Sequence, residues 1–235
     1  MQNGLFKKPI FRIAGDRGLL VEYGDEIDPV INNKVRSMAM VMEKKPLNGV
    51  LETIPTYRSL LIIYDPATTN PTKLEKEILD FEELLSQIEI PPPDTVEIPV
   101  CYGGEFGPDI RFVAEHNSIT EDDVIRIHSG AEYHIFMIGF TPGFPFLGGL
   151  PKALHTPRLE TPRSFVSEGS VGIANNQTGI YPLTSPGGWQ LIGKTPLKLF
   201  APEHTNPFIY KVGDRIKFNP ISAEEYARLV GEVKK

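Results

Sequence analysis

Apolar residues recur at helical spacing in two stretches of the N-terminal part of the chain. The pairs Asp28-Pro29 and Asn70-Pro71 lie near the N-terminal ends of these stretches. In each pair the first side chain can cap a helix, and the proline occupies the first helical position. The two apolar stripes are Ile27, Ile31, Val35, Met38 and Met42, and then Leu74, Ile78, Phe81, Leu85 and Ile88. Spacings of three and four residues place each stripe on one face of a helix, so the pattern predicts two amphipathic helices.

Short apolar runs bounded by turn residues lie beside these helices. They cover residues 10–13, 18–23, 50–54 and 60–64. The first two runs flank a glycine-containing turn and the last two flank a turn near Pro55, so each pair predicts a β-hairpin. Residues 1–90 are therefore predicted to form a small α/β domain in which two helices pack on one sheet.

A stiff, extended segment, Ile90–Pro93, marks the predicted boundary between two domains. Beyond it, helices are predicted near Pro108–His116 and Thr120–His128, and Ser222 with Glu225 predicts a capping box for a last helix. The strand candidates are Thr95–Cys101, Glu132–Phe140, Phe165–Val166, Val171–Ala174, Gly179–Tyr181, Leu191–Ile192, Leu197–Phe200 and Arg215–Phe218. Their number and spacing favour a β-barrel over residues 91–235, which makes the predicted fold class α+β.

The stretch from Gly139 to Pro196 has an unusual composition. Glycine and proline occupy 18 of its 58 positions, whereas Lys, Arg, Asp and Glu together occupy six. Proline lacks a backbone donor and glycine loses much backbone entropy in a helix, so this composition disfavours helices. Apolar and aromatic residues recur throughout, which argues against a flexible linker. The stretch is predicted to form short strands and tight turns whose loops build a site.

Composition excludes several classes of function for this chain of 235 residues. A net charge of −6, without clustered basic residues, provides no general attraction to nucleic acid or to an anionic membrane. No apolar run reaches transmembrane length, and the N-terminus lacks the apolar core of a signal peptide. The single cysteine, Cys101, excludes a disulfide framework and is predicted to be a small core residue, and the five histidines lack metal-ligand spacing. We therefore expect a cytoplasmic protein that binds no metal.

Residues Gly188–Thr195 match the phosphate-binding pattern G-x-x-x-x-G-K-[ST] letter for letter. In a nucleotide site a helix begins at the lysine, because its N-terminal amides must face the phosphates. Here Pro196 follows directly, and the next residues alternate as they do in a strand. The match is therefore predicted to be accidental, and no cofactor is expected to bind to this chain alone.

Three basic side chains in the glycine- and proline-rich stretch are candidate site residues. His155 precedes Thr156-Pro157 in a loop-rich segment, where a site role and a structural role are both open. Arg158 and Arg163 flank a proline-braced segment, and their planar guanidinium groups suit a carboxylate or a phosphate. The alternative is that these arginines tie loops to backbone carbonyls.

Gln177, Tyr181 and Trp189 supply an amide, a phenol and an indole between glycines of the same stretch. Neutral donors and acceptors of this kind can line a pocket for a small polar ligand. The alternative is a buried aromatic core whose polar tips are satisfied within the protein. The residues thus predict a shaped, mostly uncharged pocket, and they assign no catalytic residue.

Four long motifs dominate the stretch: Gly139–Pro151, His155–Arg163, Gly169–Pro182 and Ser185–Pro196. In these motifs the chain resembles the 5-oxoprolinase B-subunit/KipI family, also called allophanate hydrolase subunit 1 or carboxyltransferase-domain subunit 1. The resemblance extends more loosely over the whole chain. Members of the family commonly carry glycine where this chain has Asn175.

The resemblance implies a small N-terminal α/β domain followed by a cyclophilin-like β-barrel. It also implies a non-autonomous subunit that works beside a homologous second subunit, the KipA-like C-subunit. In 5-oxoprolinase this pair joins a larger lactam-utilisation subunit and opens 5-oxo-L-proline to L-glutamate at the expense of ATP. ATP is thus expected to be required by the complex and not bound by this chain.

On this interpretation the candidate residues have substrate-binding roles. Arg158 and Arg163 are expected to orient a carboxylate or phosphate, and Gln177 and Tyr181 to hydrogen-bond the lactam or a carboxy intermediate. The predicted set is His155, Arg158, Arg163, Gln177, Tyr181 and Trp189.

Two alternative functions share the same motifs. KipI-type members bind a sensor histidine kinase and inhibit its autophosphorylation, and in that case exposed Phe140, Phe144 and Phe146 are expected to form an apolar docking patch. In urea carboxylase the equivalent pair of subunits is fused and transfers a carboxyl group to urea. The sequence alone does not choose between these alternatives and 5-oxoprolinase.

Overall fold

The computed structural model describes residues 4–85 and 92–233. By the density of its internal contacts, the chain divides into two compact units, Met1–Pro92 and Pro93–Lys235. The start of the predicted spacer at Ile90 lies outside the described residues, as does Ile88 of the second predicted stripe.

The N-terminal unit contains a four-stranded antiparallel sheet. Its strands are β1 (Leu5–Ala14), β2 (Gly18–Gly24), β3 (Val50–Pro55) and β4 (Ser59–Tyr64), in the order β1-β2-β4-β3. Both predicted hairpins are confirmed, since β1 pairs with β2 and β3 pairs with β4. Alternate residues of the two central strands, such as Val21 and Ile62, are fully buried, because one face of the sheet packs into the core of this unit.

Two helices fill out that core, α1 (Pro29–Lys44) and α2 (Pro71–Glu82). Both predicted caps are confirmed: Asp28 Oδ1 accepts a hydrogen bond from Val30 N at 2.7 Å, and Asn70 Oδ1 accepts one from Lys73 N at 3.0 Å. The apolar stripes face inward, with Ile31, Val35, Met38, Met42, Leu74 and Ile78 buried. Ile27 belongs to the first predicted stripe, but it precedes the helix and is half exposed.

A closed barrel forms the centre of the C-terminal unit. Its seven strands among the described residues are β5 (Thr95–Tyr102), β6 (Glu132–Ile138), β7 (Pro145–Gly148), β9 (Ser170–Ala174), β10 (Gln177–Ile180), β12 (Gln190–Lys194) and β13 (Arg215–Pro220). The order around the barrel is β10-β7-β6-β13-β5-β12-β9. A separate two-stranded sheet pairs β8 (Arg163–Val166) with β11 (Ser185–Gly187). The predicted α+β class, with a barrel in the C-terminal part of the chain, is confirmed.

In the described part of the C-terminal unit, three α-helices accompany the barrel: α3 (Ile110–Asn117), α4 (Glu121–Gly130) and α5 (Ala223–Val233). Thr120 caps α4 in a complete capping box with Asp123. At α5, Ser222 Oγ accepts from Glu225 N at 3.2 Å as predicted, but the Glu225 carboxylate pairs with Arg228 instead of completing the box.

The strand prediction fails at three segments, one predicted strand that does not form and two strands that were not predicted. No strand forms over Leu197–Phe200, because Pro196 lacks a ladder donor and Leu197 N donates to Thr195 Oγ1 at 3.2 Å, which closes a turn. Conversely, β7 and β11 lie where the glycine and proline content concealed short strands. Proline is tolerated there because Pro145 opens its strand and β11 belongs to an isolated two-stranded sheet.

The turn between β9 and β10 explains one departure from the family motif. Asn175 has a φ of 53°, which lies in the left-handed region. Glycine adopts this conformation freely, and asparagine is among the residues that tolerate it best. The backbone therefore accounts for both the glycine of the family and the asparagine of this chain.

A chain of polar side chains crosses the barrel core. His128 is fully buried, with Nδ1 at 2.7 Å from Tyr102 Oη and Nε2 at 2.9 Å from Thr178 Oγ1. Thr178 Oγ1 in turn donates to Gly172 O at 3.0 Å. The imidazole ring also stacks on Phe218, with 4.5 Å between the ring centres. Every polar atom of the His128 side chain is thus satisfied inside an apolar core.

Candidate functional site

A cavity of about 340 Å³ lies beside the barrel in the C-terminal unit. Its aromatic walls are the side chains of Phe140, Phe144, Phe146, Tyr181 and Trp189. Arg158, Leu159, Pro162 and the backbone of Gly187–Gly188 complete the lining. We call this cavity the aromatic pocket, and three of the six predicted site residues, Arg158, Tyr181 and Trp189, line it.

Phe144 holds the aromatic walls together. Its ring meets those of Phe146, Tyr181 and Trp189 edge to face, with 5.1, 5.5 and 5.6 Å between ring centres. Such pairs contribute about 0.5–1.5 kcal/mol each beyond the area that they bury. Phe144 is only 2% exposed, so the prediction of an exposed patch that included it is wrong. The ring is buried because it packs between barrel strands and the pocket.

Phe140 stands at the edge of the pocket in a strained conformation. Its φ is 64°, a value that a bulky aromatic residue rarely adopts, and the residue is 69% exposed. The turn that follows is held by Phe144 N, which donates to Thr141 O at 3.1 Å, and by Gly139 N, which donates to Phe144 O at 3.1 Å. This turn keeps an apolar ring in solvent at the pocket edge.

The Tyr181 side chain is buried between the other aromatic walls of the pocket and the backbone of Gly187. A Cβ atom at Gly187 would collide with the Tyr181 hydroxyl, and one at Gly179 would lie 3.0 Å from the Phe144 ring. Glycine is thus required at 187 for the backbone to pass this close to the phenol. Burial raises the pKa of Tyr181, while the backbone N–H of Trp189 and the charges of Arg158 and Arg163 act in the opposite direction. The phenol is therefore a neutral hydrogen-bonding group at physiological pH.

The two predicted arginines occupy different environments. Arg158 is exposed at the pocket lining and makes no hydrogen bond or ion pair with any residue in 4–85 or 92–233. Arg163 is engaged: Nη2 lies 2.7 Å from Asp109 Oδ1, and Nη1 donates to Trp189 O at 3.2 Å. Arg163 therefore ties a loop to a backbone carbonyl, and Arg158 is the guanidinium that is available to a ligand.

Asp109 is a residue of this region that sequence reasoning missed. It occupies the N-cap position of α3, yet its side chain makes no capping hydrogen bond. Its carboxylate instead bonds Arg163 and, through Oδ2, Leu191 N at 2.6 Å. An aspartate before a helix is ordinarily interpreted as a cap, so no local signal points to a partner 82 residues away.

His155 and Gln177 do not line the aromatic pocket. His155 Nε2 donates to Leu150 O at 3.1 Å, which fastens the loop after the 3-10 turn at 152–154. Gln177 begins β10 and pairs with Ala174 of β9. A ligand role for either residue stays a prediction.

The phosphate-loop pattern lies on a barrel strand. Gln190–Lys194 forms β12, which pairs with β9 and β5, so no helix begins at the lysine. Lys194 Nζ donates to Ser167 Oγ at 3.1 Å. The backbone amides are committed to the barrel ladder and cannot cradle phosphates, which supports the interpretation that the match is accidental.

The pocket can bind but offers little chemistry of its own. Among the described residues that line it there is one cation, Arg158, and no carboxylate, imidazole, thiol or aliphatic hydroxyl. Across all the residues that the structure describes, no three His, Cys, Asp or Glu side chains come close enough to hold a metal. No helix within residues 4–85 and 92–233 has the length and apolar character needed to cross a bilayer. The geometry suits a small anion with a compact, apolar or planar body.

A family model described as carboxyltransferase domain, subdomain C and D, matches residues 9–210. A curated relative, the 5-oxoprolinase B-subunit of Bacillus subtilis, is 44% identical over 225 residues, which cover 90% of this chain and 92% of the relative.

Two solved structures with the same fold are parts of longer chains. TTHA0988 is 33% identical and matches with a TM-score of 0.76 over 88% of this chain, which spans 40% of that protein. Kluyveromyces lactis urea carboxylase is 23% identical and matches with a TM-score of 0.79 over 97% of this chain and 24% of its own length. At that identity the second match shows a shared fold alone.

Proposed function

The chain belongs to the family of carboxyltransferase domains, subdomains C and D, that includes the 5-oxoprolinase B-subunit, and on this premise we propose that it is the B-subunit of an ATP-dependent 5-oxoprolinase. In this role it acts with partner subunits to open 5-oxo-L-proline to L-glutamate. Support comes from the identity to the Bacillus subtilis protein, which extends over nearly the full length of both chains.

One observation carries the proposal that the chain acts as a subunit and not alone. Among the described residues, the lining of the aromatic pocket has a guanidinium and aromatic walls, but no group that could act as nucleophile or as general base near neutral pH. Lactam opening coupled to ATP needs a nucleotide site and proton transfer, and this described lining supplies neither. The proposed partners are a homologous second subunit and a larger lactam-utilisation subunit, which supply the ATP site.

The pocket contents fit the proposed substrate. A five-membered lactam ring is compact enough to lie against the Trp189 and Phe144 rings within about 340 Å³. Its carboxylate would pair with Arg158, since a guanidinium binds a carboxylate through two parallel hydrogen bonds. The Tyr181 hydroxyl stays protonated because burial raises its pKa, and it would donate its proton to the lactam carbonyl.

Reconstitution with the two partner subunits tests the function. We expect glutamate release that depends on both 5-oxoproline and ATP and that disappears when this chain is left out. Activity that persists without this chain would contradict the proposal.

The Arg158→Gln variant tests the site. Losing a charge-assisted hydrogen bond costs about 1.5–3 kcal/mol, so KM for 5-oxoproline should rise about 10- to 100-fold. Arg158→Lys should recover part of this loss, because it keeps the charge but not the two-pronged geometry. Arg126→Gln, which removes another exposed arginine of the same unit, is the matched control and should leave KM unchanged. An unchanged KM in Arg158→Gln would remove Arg158 from the site.

A further inference from the structure

Asp109 is bound to β12 through its side chain and its backbone. Its Oδ2 accepts from Leu191 N at 2.6 Å, and its own N–H donates to Leu191 O at 2.9 Å. Through Oδ1 it also holds Arg163, whose Nη1 donates to Trp189 O at 3.2 Å. The carbonyl of Trp189 and both backbone groups of Leu191 are therefore fixed by one aspartate.

The fixed segment carries the pocket. Trp189 forms one aromatic wall, and Gly188 O accepts a hydrogen bond from Leu159 N at 2.8 Å. Gln190 Nε2 donates to Pro157 O at 3.0 Å. These two bonds flank Arg158 on either side, so the position of its guanidinium depends on the same segment as the indole.

The local structure gives the Asp109 side chain no other task. An aspartate at an N-cap usually accepts from the first turn of its helix, but here that bond is absent. The side chain is 13% exposed, and its two carboxylate contacts go to Leu191 and to Arg163, which holds Trp189 O. Residues that break a local rule in this way often serve a site elsewhere in the fold.

We propose that Asp109 is a positioning residue of the aromatic pocket, which sets the places of the Trp189 indole and the Arg158 guanidinium through Arg163 and the backbone of Leu191. Its effect on turnover rests on the proposed function, whereas its effect on the pocket does not. Asp109 touches no ligand itself, and it acts by holding the groups that do.

The chain contains a single tryptophan, so its fluorescence reports on the pocket directly. In Asp109→Asn, Arg163 loses its counter-charge and no longer holds the Trp189 carbonyl in place. We therefore expect Trp189 emission to shift to longer wavelength and acrylamide quenching to increase. Far-UV circular dichroism should keep the shape of the parent spectrum. In the reconstituted complex KM for 5-oxoproline should rise about tenfold with a smaller change in kcat, as for a lost charge-assisted bond.

Asp214→Asn is the matched control for a purely structural effect. The Asp214 side chain is 5% exposed in the same unit and accepts from the backbone N–H groups of Asp94 and Lys211 at 3.3 and 3.0 Å. This substitution should lower thermal stability but leave Trp189 emission unchanged. If Asp109→Asn has unchanged emission and quenching, or changes only as Asp214→Asn does, Asp109 has no positioning role.

Arg163→Gln keeps the proposal testable if Asp109→Asn fails to fold. It leaves the Asp109 contacts to Leu191 in place, so the spectral change should have the same direction and be smaller. The double variant should not exceed Asp109→Asn alone, because both residues act on the same segment. A failed reconstitution of the parent protein would reject the proposed function, and these fluorescence comparisons would still decide the role of Asp109.

Discussion

The buried polar chain through His128 fixes the protonation of its ring. Thr178 Oγ1 donates its proton to Gly172 O, so it must accept from His128 Nε2–H. The other ring nitrogen, Nδ1, is then an acceptor, and Tyr102 donates to it. Burial lowers the pKa of His128 to about 3, and it also raises the pKa of Tyr102. The imidazole is therefore neutral and structural in the folded protein.

This burial makes the stability of the barrel depend on pH. The unfolded chain takes up a proton on His128 near pH 6.5 and the folded protein only near pH 3, so stability is lost as pH falls below 6.5. Between pH 7 and pH 5 the loss should be about 2 kcal/mol. Urea unfolding followed by Trp189 fluorescence measures it.

His128→Gln should lack this pH-dependent loss, although it will be less stable at pH 7 because its side chain fills the core less well. His204→Gln removes an exposed histidine of the same unit and should keep the parent pH dependence. Equal pH dependence in parent and His128→Gln would show that another group is responsible.

The helices of the N-terminal unit are defined by their first residues. At α2, Asn70 accepts from Lys73 N, and Pro71 begins the helix where a backbone N–H has no intrahelical partner. The inward stripe is short, with Leu74 and Ile78 fully buried, so the cap contributes a sizeable share of the stability of this helix. Capping and amphipathic pattern agree here, which is why the sequence located the helix correctly.

Asn70→Ala should destabilise α2 by about 0.5–2 kcal/mol, because Lys73 N loses its acceptor. Native-state hydrogen exchange of the α2 amides measures the free energy of opening. Asn70→Asp retains an acceptor at the N-cap and should exchange like the parent protein. Exchange in Asn70→Ala as slow as in the parent would mean that packing alone holds the helix.

Each of the two compact units has its own hydrophobic core. The N-terminal core is built from the sheet and α1 and α2, including Leu19, Met38 and Leu60. The barrel core includes Ile98, Ile135 and Phe218. The aromatic pocket and Asp109 lie within the C-terminal unit. The division supports the proposal that the chain consists of two domains, with the pocket built by the second alone.

We therefore expect residues 93–235 to fold without the N-terminal unit. The fragment should have the β-rich circular dichroism of a barrel and Trp189 emission at the wavelength of the full chain. The Asp109→Asn form of the fragment should show the same red shift as the full-length variant. An unfolded fragment, or one with solvent-exposed Trp189 emission, would show that the barrel depends on the N-terminal unit.

Some of the site could be predicted and some could not. Glycine and proline around Arg158, Tyr181 and Trp189 indicate shaped loops and make these residues candidates, and the three side chains line the pocket; a ligand role for them stays a prediction. The sequence leaves two roles open for Arg163, and its bonds to Asp109 and to the Trp189 carbonyl favour the structural role. Asp109 could not be predicted, because its partners Arg163 and Leu191 lie far from it in the sequence.

The sequence by itself determined the features that depend on neighbouring residues. Helix caps, apolar stripes, hairpins and the strand character of Leu191–Ile192 within the phosphate-loop pattern all follow from side chains a few positions apart. Tertiary structure alone decided which strands meet, such as β13 running parallel to β5, and which rings surround the pocket. These contacts join residues far apart in the chain, so they are set by packing complementarity and barrel closure, for which no local pattern exists.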